Sequence, residues 1–275
     1  MHTRPIPSTG ELLPVIGLGT YKGFDTLPGS ASYPQLPGVL DALLASGGSV
    51  IDSSPMYGHA EAAVGRLLAA AQHAATPFLA TKVWTRGREA GIAQMQRSMA
   101  LLGTDRVDLM QVHNLVDCST HLATLREWKR AGRIRYVGVT HYTASAYAEL
   151  ESVLRTEPMD FVQLNYSVAD RVAEQRLLPL AMDRGIAVLA NLPLGSGGVL
   201  RSVRGRSMPT WAATELDCTS WAQLLLKFVI GHPAVTCAIP GTSQPAHMAD
   251  NALAGNGPLP DAQMRERIAN CWGGP

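Results

Sequence analysis

Four side chains suited to acid–base chemistry, Asp52, Tyr57, Lys82 and His113, end or follow three short apolar segments of the chain. A tyrosine hydroxyl titrates near a pKa of about 10, but an adjacent ammonium favours the phenolate and lowers that pKa. We therefore expect Lys82 to lower the pKa of Tyr57, and Asp52 to hold Lys82 charged and oriented. His113 can donate a hydrogen bond to a substrate carbonyl oxygen. Together these residues predict proton delivery to a carbonyl group.

The four residues converge if their segments are neighbouring strands of a parallel barrel, because the C-terminal ends of such strands share one face. Taken separately, each residue is a weak signal. A lone aspartate at a strand end is usually a turn or cap residue, and a lone histidine is more often a core side chain with its hydrogen bonds satisfied. The joint spacing therefore carries the prediction.

Strand-like apolar segments alternate with helical patterns along the whole chain. The predicted strands are residues 15–19, 50–53, 78–82, 107–113, 136–140, 161–165, 187–192 and 236–240. The predicted helices are residues 36–46, 60–72, 88–102, 120–130, 144–155, 173–183, 220–230 and 245–254. Strands separated by helices require parallel crossovers, and eight such units close into a (β/α)₈ TIM barrel. The 275 residues are predicted to form a single domain of this kind.

An open doubly wound sheet is the alternative fold, but it predicts a glycine-rich dinucleotide turn that the segment Gly17-Leu18-Gly19-Thr20 does not complete. Residues 4–14 are typical of a hairpin that turns at Thr9-Gly10 and plugs the N-terminal mouth of the barrel. Residues 261–271 predict a final helix. Residues 196–207, rich in Gly and Arg, are the candidate for a mobile loop over the site, or for an ordinary solvated loop.

The composition favours a soluble globular protein that binds small molecules. Hydrophobic residues make up 46% of the chain and charged residues 16%, and the formal net charge of +1 argues against nucleic acid or an anionic membrane as a partner. No signal-peptide or membrane-spanning pattern stands out, so we expect a cytoplasmic protein, as a monomer or small homo-oligomer. Four widely spaced cysteines favour neither a zinc site nor a disulfide framework.

Several motifs together resemble those of the aldo-keto reductases, over a stretch from Leu13 to about Gly255. The motifs are Ile51–Gly58 with Glu61 and Gly65, Thr81-Lys82, Gln111–His113, Gly138–Thr140, Val162–Ser167 and Ile239–Thr242. The resemblance implies that Asp52, Tyr57, Lys82 and His113 occupy the four catalytic positions, with Tyr57 as general acid. It also implies that NADPH lies over the barrel mouth and delivers hydride to an aldehyde or ketone.

The resemblance also implies where the nicotinamide half of the cofactor would lie. Gly19, Thr20 and Tyr21 match the loop beside it, and Gln163 matches the residue that binds its carboxamide. Asp52 is also among the expected cofactor positions. Where the family commonly has a Ser-Asn pair for that carboxamide, this chain has Thr140-His141. Where the family usually has a stacking aromatic residue, this chain has Asn191. Loss of that ring would remove about 1 kcal/mol, which weakens binding without abolishing it.

The other half of the cofactor is matched less completely. Leu194 and Ser196 match positions near the pyrophosphate, and Asp250 and Asn251 match positions that contact the adenine. Many family members grip the 2′-phosphate with a lysine and an arginine, whereas the corresponding residues here are Gly241 and His247. Thr242, Ser243 and the helix start near Pro245 can still offer donors to a phosphate. The expected cofactor is NADPH, with NADH as the alternative.

Aromatic residues on the loops predict a partly apolar substrate pocket. The candidates are Tyr21, Phe24, Trp84, His113 and Tyr142, with Met56 beside them. Each aromatic candidate is also consistent with simple loop packing. Trp128, Trp211, Trp221 and Trp272 lie on predicted helices or near the terminus, where packing is the better interpretation.

Two other functions are compatible with the sequence. A redox sensor that binds a nicotinamide nucleotide with little turnover would keep its cofactor site and lose the four catalytic residues, which is the reverse of what this chain shows. A lyase or aldolase would use Lys82 as a Schiff base and needs a neutral lysine. Asp52 argues against that chemistry, because it keeps Lys82 charged.

Overall fold

Eight parallel strands form a closed barrel in the computed structural model, which describes residues 1–70 and 76–273. The barrel strands are β3 (Leu18–Gly19), β4 (Val50–Asp52), β5 (Phe78–Val83), β6 (Val107–His113), β7 (Ile134–His141), β8 (Phe161–Asn165), β9 (Ala187–Asn191) and β10 (Val235–Ala238). They pair in sequence order from β3 to β10. Parallel bridges from Ile16 to Ala238 and from Gly19 to Gly241 close the ring. The predicted (β/α)₈ barrel is confirmed.

The predicted N-terminal hairpin is also present, as antiparallel strands β1 (Thr3–Pro5) and β2 (Leu12–Pro14). Ile6 and Leu13 are buried in one cluster with inward-facing side chains of the barrel, among them Phe78, Tyr136 and Phe161. The hairpin thus fills the N-terminal mouth and leaves the other end of the barrel for a site.

Helices cover the outside of the barrel. They are α1 (Leu36–Ala45), α2 (Ala60–Ala70), α3 (Arg88–Leu102), α4 (Cys118–Arg130), α5 (Tyr147–Thr156), α6 (Leu177–Asp183), α7 (Gly198–Ser202), α8 (Thr210–Leu216), α9 (Trp221–Ile230), α10 (Pro245–Leu253) and α11 (Ala262–Trp272). The last two residues of the predicted second helix, 71 and 72, lie outside the described residues. No helix within the described ranges is long and apolar enough to cross a membrane.

Most predicted bounds agree with the structure to within a few residues, and the differences have local causes. The predicted first strand, 15–19, is shared between two neighbours. The Gly17 N–H donates to the Ala238 carbonyl of β10 and the Ala238 N–H donates to the Val15 carbonyl, whereas Leu18–Gly19 pair with β4. Residues 173–176, predicted as the start of a helix, are largely a 3₁₀ turn that precedes α6.

The glycine- and arginine-rich segment 196–207 contains the short helix α7 rather than an open loop. Val199 and Val203 are buried against the core, so the segment is anchored by two apolar side chains. Ser196 adopts a φ of 51° and Gly197 a φ of 78°, and this left-handed turn leads directly into α7. The predicted final helix is confirmed as α11.

Candidate active site

A buried ion pair lies at the C-terminal end of the barrel, between Asp52 at the end of β4 and Lys82 on β5. The Lys82 Nζ atom is 2.9 Å from Asp52 Oδ1, 2.7 Å from Asp52 Oδ2 and 2.7 Å from the carbonyl oxygen of Ser53. Burial by itself would lower the pKa of Lys82, but attraction to Asp52 and to Tyr57 raises it overall. Lys82 is therefore held as an ammonium ion at neutral pH.

Tyr57 lies over this ammonium, in the turn between β4 and α2. Lys82 Nζ is 4.9 Å from the centroid of the Tyr57 ring, and the Tyr21 ring lies 5.0 Å from it on another side. Lys82 lowers the pKa of Tyr57, as expected, but it does not set the net direction of the shift. Burial raises the pKa of Tyr57 by more than Lys82 lowers it. The hydroxyl therefore keeps its proton at neutral pH and is ready to donate it.

His113 completes the group from the end of β6. Its ring is edge-on to Tyr57, with 6.2 Å between the ring centroids. Burial, helped by the positive charge of Lys82 and by His141, lowers the pKa of His113 from 6.5 to about 3. The imidazole is thus neutral over the physiological range and can donate only one hydrogen bond.

A layer of buried side-chain amides donates hydrogen bonds to the Asp52 carboxylate. Gln111 Nε2 lies 3.3 Å from Asp52 Oδ1, and Gln163 Nε2 lies 3.0 Å from Asp52 Oδ2. Gln111 Nε2 also bonds to Gln163 Oε1 at 2.7 Å, and Gln163 Nε2 bonds to Asn191 Oδ1 at 2.6 Å. Donors from Gln111, Gln163 and Lys82 therefore surround the buried carboxylate, which offsets its loss of hydration. The sequence contains Gln111 in a motif, but it did not predict this contact.

The low pKa of His113 predicts a loss of stability in acid. The unfolded state gains a proton near pH 6.5, whereas the folded state gains it only near pH 3. Between those values the unfolded chain binds more protons, so the free energy of unfolding falls as the pH falls. Relative to His113→Gln, wild type should lose on the order of 4 kcal/mol across this window. Urea denaturation of both proteins at a series of pH values measures this difference. If the free energies of unfolding of the two proteins changed with pH in parallel, the prediction would be contradicted.

The residues predicted to lie beside the nicotinamide have different surroundings. A Cβ on Gly19 would come within 2.9 Å of the carbonyl oxygen of Ile239, so this position has no room for a side chain. Gly19 pairs through a parallel bridge with Gly241, the position matched to the 2′-phosphate. Thr20 is fully buried, and its hydroxyl bonds to the Asp52 carbonyl and to Ser53 Oγ. Thr20 therefore fixes the end of β4. Tyr21 is exposed at the mouth, beside Tyr57.

Three further predicted cofactor positions, Thr140, His141 and Gln163, lie at the ends of β7 and β8. Thr140 is buried, and His141 is half-buried with its ring stacked on Tyr142. The Nδ1 atom of His141 accepts the backbone N–H of Thr143 at 3.1 Å. Gln163 is fully buried in the amide layer, so its groups are already engaged.

The positions matched to the distant half of the cofactor lie on the loops after β9 and β10. Leu194 is half-buried, Ser196 is exposed, and Thr242 and Ser243 are half-buried. His247 is exposed on the first turns of α10.

The two positions matched to the adenine, Asp250 and Asn251, also lie on α10. The Asp250 carboxylate accepts hydrogen bonds from Ser220 Oγ and Gln223 Nε2 at 2.8 and 2.6 Å, and so links α10 to the start of α9. Asn251 is buried.

The predicted substrate residues divide into two groups. Tyr21, Trp84 and Tyr142 are exposed around the mouth, at 53%, 39% and 58% of their full surface, and Met56 is exposed beside them. Phe24 does not line the mouth: its ring is fully buried in the hydrophobic core and anchors the loop after β3. Sequence position on a loop did not distinguish this inward-pointing ring from its exposed neighbours.

Other members of the sequence motifs hold the barrel together. Glu61 on α2 accepts hydrogen bonds from Thr81 Oγ1 and Ser98 Oγ. Gly65 lets α2 pack against α3, since a Cβ there would lie 2.1 Å from the carbonyl oxygen of Leu101. Trp128 and Trp272 are buried, as expected for packing residues. No group of three or more metal-ligating side chains occurs within residues 1–70 and 76–273.

The fold brings Asp52, Lys82, Tyr57 and His113 together at the open mouth of a (β/α)₈ barrel. The model of the Aldo/keto reductase family matches residues 15–272, and the chain belongs to this family of oxidoreductases. Methylglyoxal reductase YeaE of Escherichia coli is 29% identical over 272 residues, which cover 96% of this chain and 93% of that protein. The NADH-specific methylglyoxal reductase of Escherichia coli is 27% identical over 212 residues, which cover 65% of this chain and 63% of the relative.

A solved structure gives the same result for the fold. The crystal structure of an aldo/keto reductase from Klebsiella pneumoniae in complex with NADP and acetate superposes with a TM-score of 0.80. The two sequences are 26% identical, and the match covers 97% of this chain and 94% of the other.

Proposed function

We propose that this protein reduces an aldehyde or ketone to an alcohol with NAD(P)H, and that Tyr57 is the general acid. The observation that carries the proposal is the stack formed by the Asp52 carboxylate, the Lys82 ammonium and the Tyr57 ring, with neutral His113 edge-on to that ring. A reduced nicotinamide supplies hydride to a carbonyl carbon, which leaves negative charge on the carbonyl oxygen.

Each residue then has a distinct part in handling that oxygen. The Tyr57 hydroxyl donates its proton to it, and the resulting phenolate is stabilised by the ammonium of Lys82. Asp52 keeps Lys82 charged and oriented. His113 donates one hydrogen bond to the same oxygen and so fixes the carbonyl beside Tyr57. The charged state of Lys82 disfavours Schiff-base chemistry, which needs a neutral amine.

The residues at the mouth fit a nicotinamide nucleotide. Asn165 ends β8 beside Asn191, and its side-chain Oδ1 is buried without a partner among the described residues. A buried acceptor of this kind is costly unless a donor satisfies it, and the carboxamide N–H of a nicotinamide is such a donor. We therefore add Asn165 to the candidate cofactor residues. The half-buried hydroxyls of Thr242 and Ser243 are candidates for the 2′-phosphate of NADPH.

The names of the relatives suggest the first substrate to test. Two Escherichia coli relatives are named methylglyoxal reductases, so we propose a small carbonyl compound of that kind as substrate. Purified protein is mixed with NADPH or NADH and with methylglyoxal or a panel of aldehydes and ketones, and nucleotide oxidation is followed. Oxidation that depends on the carbonyl compound supports the proposal. Tight binding of both nucleotides with no oxidation across the panel would favour a redox sensor instead.

His247 tests where the 2′-phosphate would lie. We expect His247→Arg to tighten NADPH binding by about tenfold and to leave NADH binding unchanged, because only NADPH carries the phosphate that a guanidinium can grip. Tryptophan fluorescence titrations with each nucleotide measure both constants. The control is Ala246→Arg, at an exposed position on the same turn of α10, which tests for a general effect of added positive charge. Equal tightening of both nucleotides would contradict the assignment.

A further inference from the structure

Ser54 links His113 to the turn that carries Tyr57. Its side chain is fully buried, two residues beyond Asp52. Ser54 Oγ lies 3.2 Å from His113 Nδ1 and 3.3 Å from the backbone nitrogen of Met56. The same turn continues with a hydrogen bond from the Tyr57 N–H to the Ser54 carbonyl oxygen, at 3.0 Å. A single hydroxyl thus contacts both the ring of His113 and the backbone next to Tyr57.

The direction of these hydrogen bonds follows from the groups involved. The backbone N–H of Met56 can only donate, so Ser54 Oγ accepts from it. The hydroxyl has one hydrogen of its own. Among the described residues, His113 Nδ1 is the acceptor that this hydroxyl contacts. If Nδ1 carries a lone pair, the hydroxyl hydrogen has it as an acceptor. A proton on Nδ1 would instead donate to the second lone pair of Ser54 Oγ and leave the buried hydroxyl hydrogen without an acceptor among the described residues. That loss is costly, so the contact favours a lone pair on Nδ1.

We propose that Ser54 is a positioning residue that holds neutral His113 in the tautomer with its proton on Nε2. The proposal rests on the proposed function, in which His113 donates a hydrogen bond to the carbonyl oxygen. A neutral imidazole with its proton on Nδ1 would present a lone pair from Nε2, and two acceptors would then face each other. The contact to Ser54 therefore decides whether His113 attracts or repels the substrate oxygen.

The surroundings of His113 make this choice of tautomer important. Burial disfavours the doubly protonated ring, and the charges of Lys82 and His141 add to this effect, so His113 has one proton to place. Without Ser54 both neutral tautomers become accessible. Part of the protein would then hold the ring in the state that does not donate from Nε2.

The test is nuclear magnetic resonance of protein labelled with ¹⁵N in its histidines. Long-range proton–nitrogen correlations distinguish a protonated from an unprotonated ring nitrogen, and comparison with His113→Gln assigns the signals. We expect wild-type His113 to be protonated at Nε2 alone and Ser54→Ala to show a mixture of tautomers. Ser54→Cys, which puts a slightly larger side chain and only a weak donor at this position, should resemble Ser54→Ala.

The matched control is Ser53→Ala, since Ser53 is equally buried but its hydroxyl oxygen bonds to Thr20. This variant should leave the His113 tautomer unchanged. Ser54→Ala should also lower kcat about threefold to tenfold, with nucleotide binding unchanged. A wild-type proton on Nδ1, or an unchanged tautomer in Ser54→Ala, would overturn the proposal. These spectra need no turnover, so failure of the proposed reductase activity would be seen separately in the kinetic assay.

Discussion

Tyr57→Phe should lower turnover by about two to four orders of magnitude, the usual contribution of a positioned general acid. The substitution removes the hydroxyl of the ring that lies over Lys82 and keeps the ring that packs against Tyr21. Nucleotide binding should therefore be nearly unchanged. Steady-state rates with the best substrate of the panel, together with fluorescence titrations, separate the two effects.

Tyr21→Phe is the matched control for that experiment. Its ring lies beside Tyr57 but is exposed, so loss of its hydroxyl should cost far less turnover than loss of the Tyr57 hydroxyl. Equal losses in the two variants, or an unchanged rate in Tyr57→Phe, would show that Tyr57 is not the acid.

Asp52→Asn should have the second large effect, because it leaves the ammonium of Lys82 buried without a counter-ion. Removing one partner of a buried ion pair typically costs about 3–5 kcal/mol of unfolding free energy. The Lys82 side chain is buried, so water cannot solvate its unpaired charge. Urea denaturation measures the loss, and turnover should fall as well, since a displaced or neutral lysine no longer stabilises the Tyr57 phenolate.

Two further variants show whether the loss of stability comes from the buried charge. Asp52→Asn combined with Lys82→Met removes both charges, and it should regain part of the lost stability without regaining activity. The exposed pair Arg88–Glu127 provides the comparison, since Glu127→Gln should change stability little at the solvated surface. A large loss in Glu127→Gln, or none in Asp52→Asn, would contradict the role given to burial.

The barrel was predictable from the sequence because local patterns and chain order agree. Each apolar strand is followed by a helical pattern, and eight such units in a row are typical of a closed (β/α)₈ barrel. The short helices α7 and α8 were not among the predicted ranges, although Trp211 in α8 was expected to lie on a helix. They have five and seven residues, too few for a helical period to stand out.

Within the site, the sequence identified the residues that meet but not how deeply they are buried. Lys82 is beside Tyr57 as predicted, yet burial reverses the expected direction of the Tyr57 pKa. Some missed residues did have a signal. Gln111 precedes His113 by two positions and Asn165 follows Gln163 by two, so each pair faces the same side of its strand.

Single-turnover kinetics test the central claim most directly. Wild type and Tyr57→Phe are each saturated with NADPH, or with NADH if that nucleotide binds better, and are then mixed rapidly with the carbonyl substrate. We predict that wild type oxidises one bound nucleotide per site, and that Tyr57→Phe binds the nucleotide equally well but oxidises it at least about a hundredfold more slowly. Oxidation at the same rate in both proteins would contradict the account.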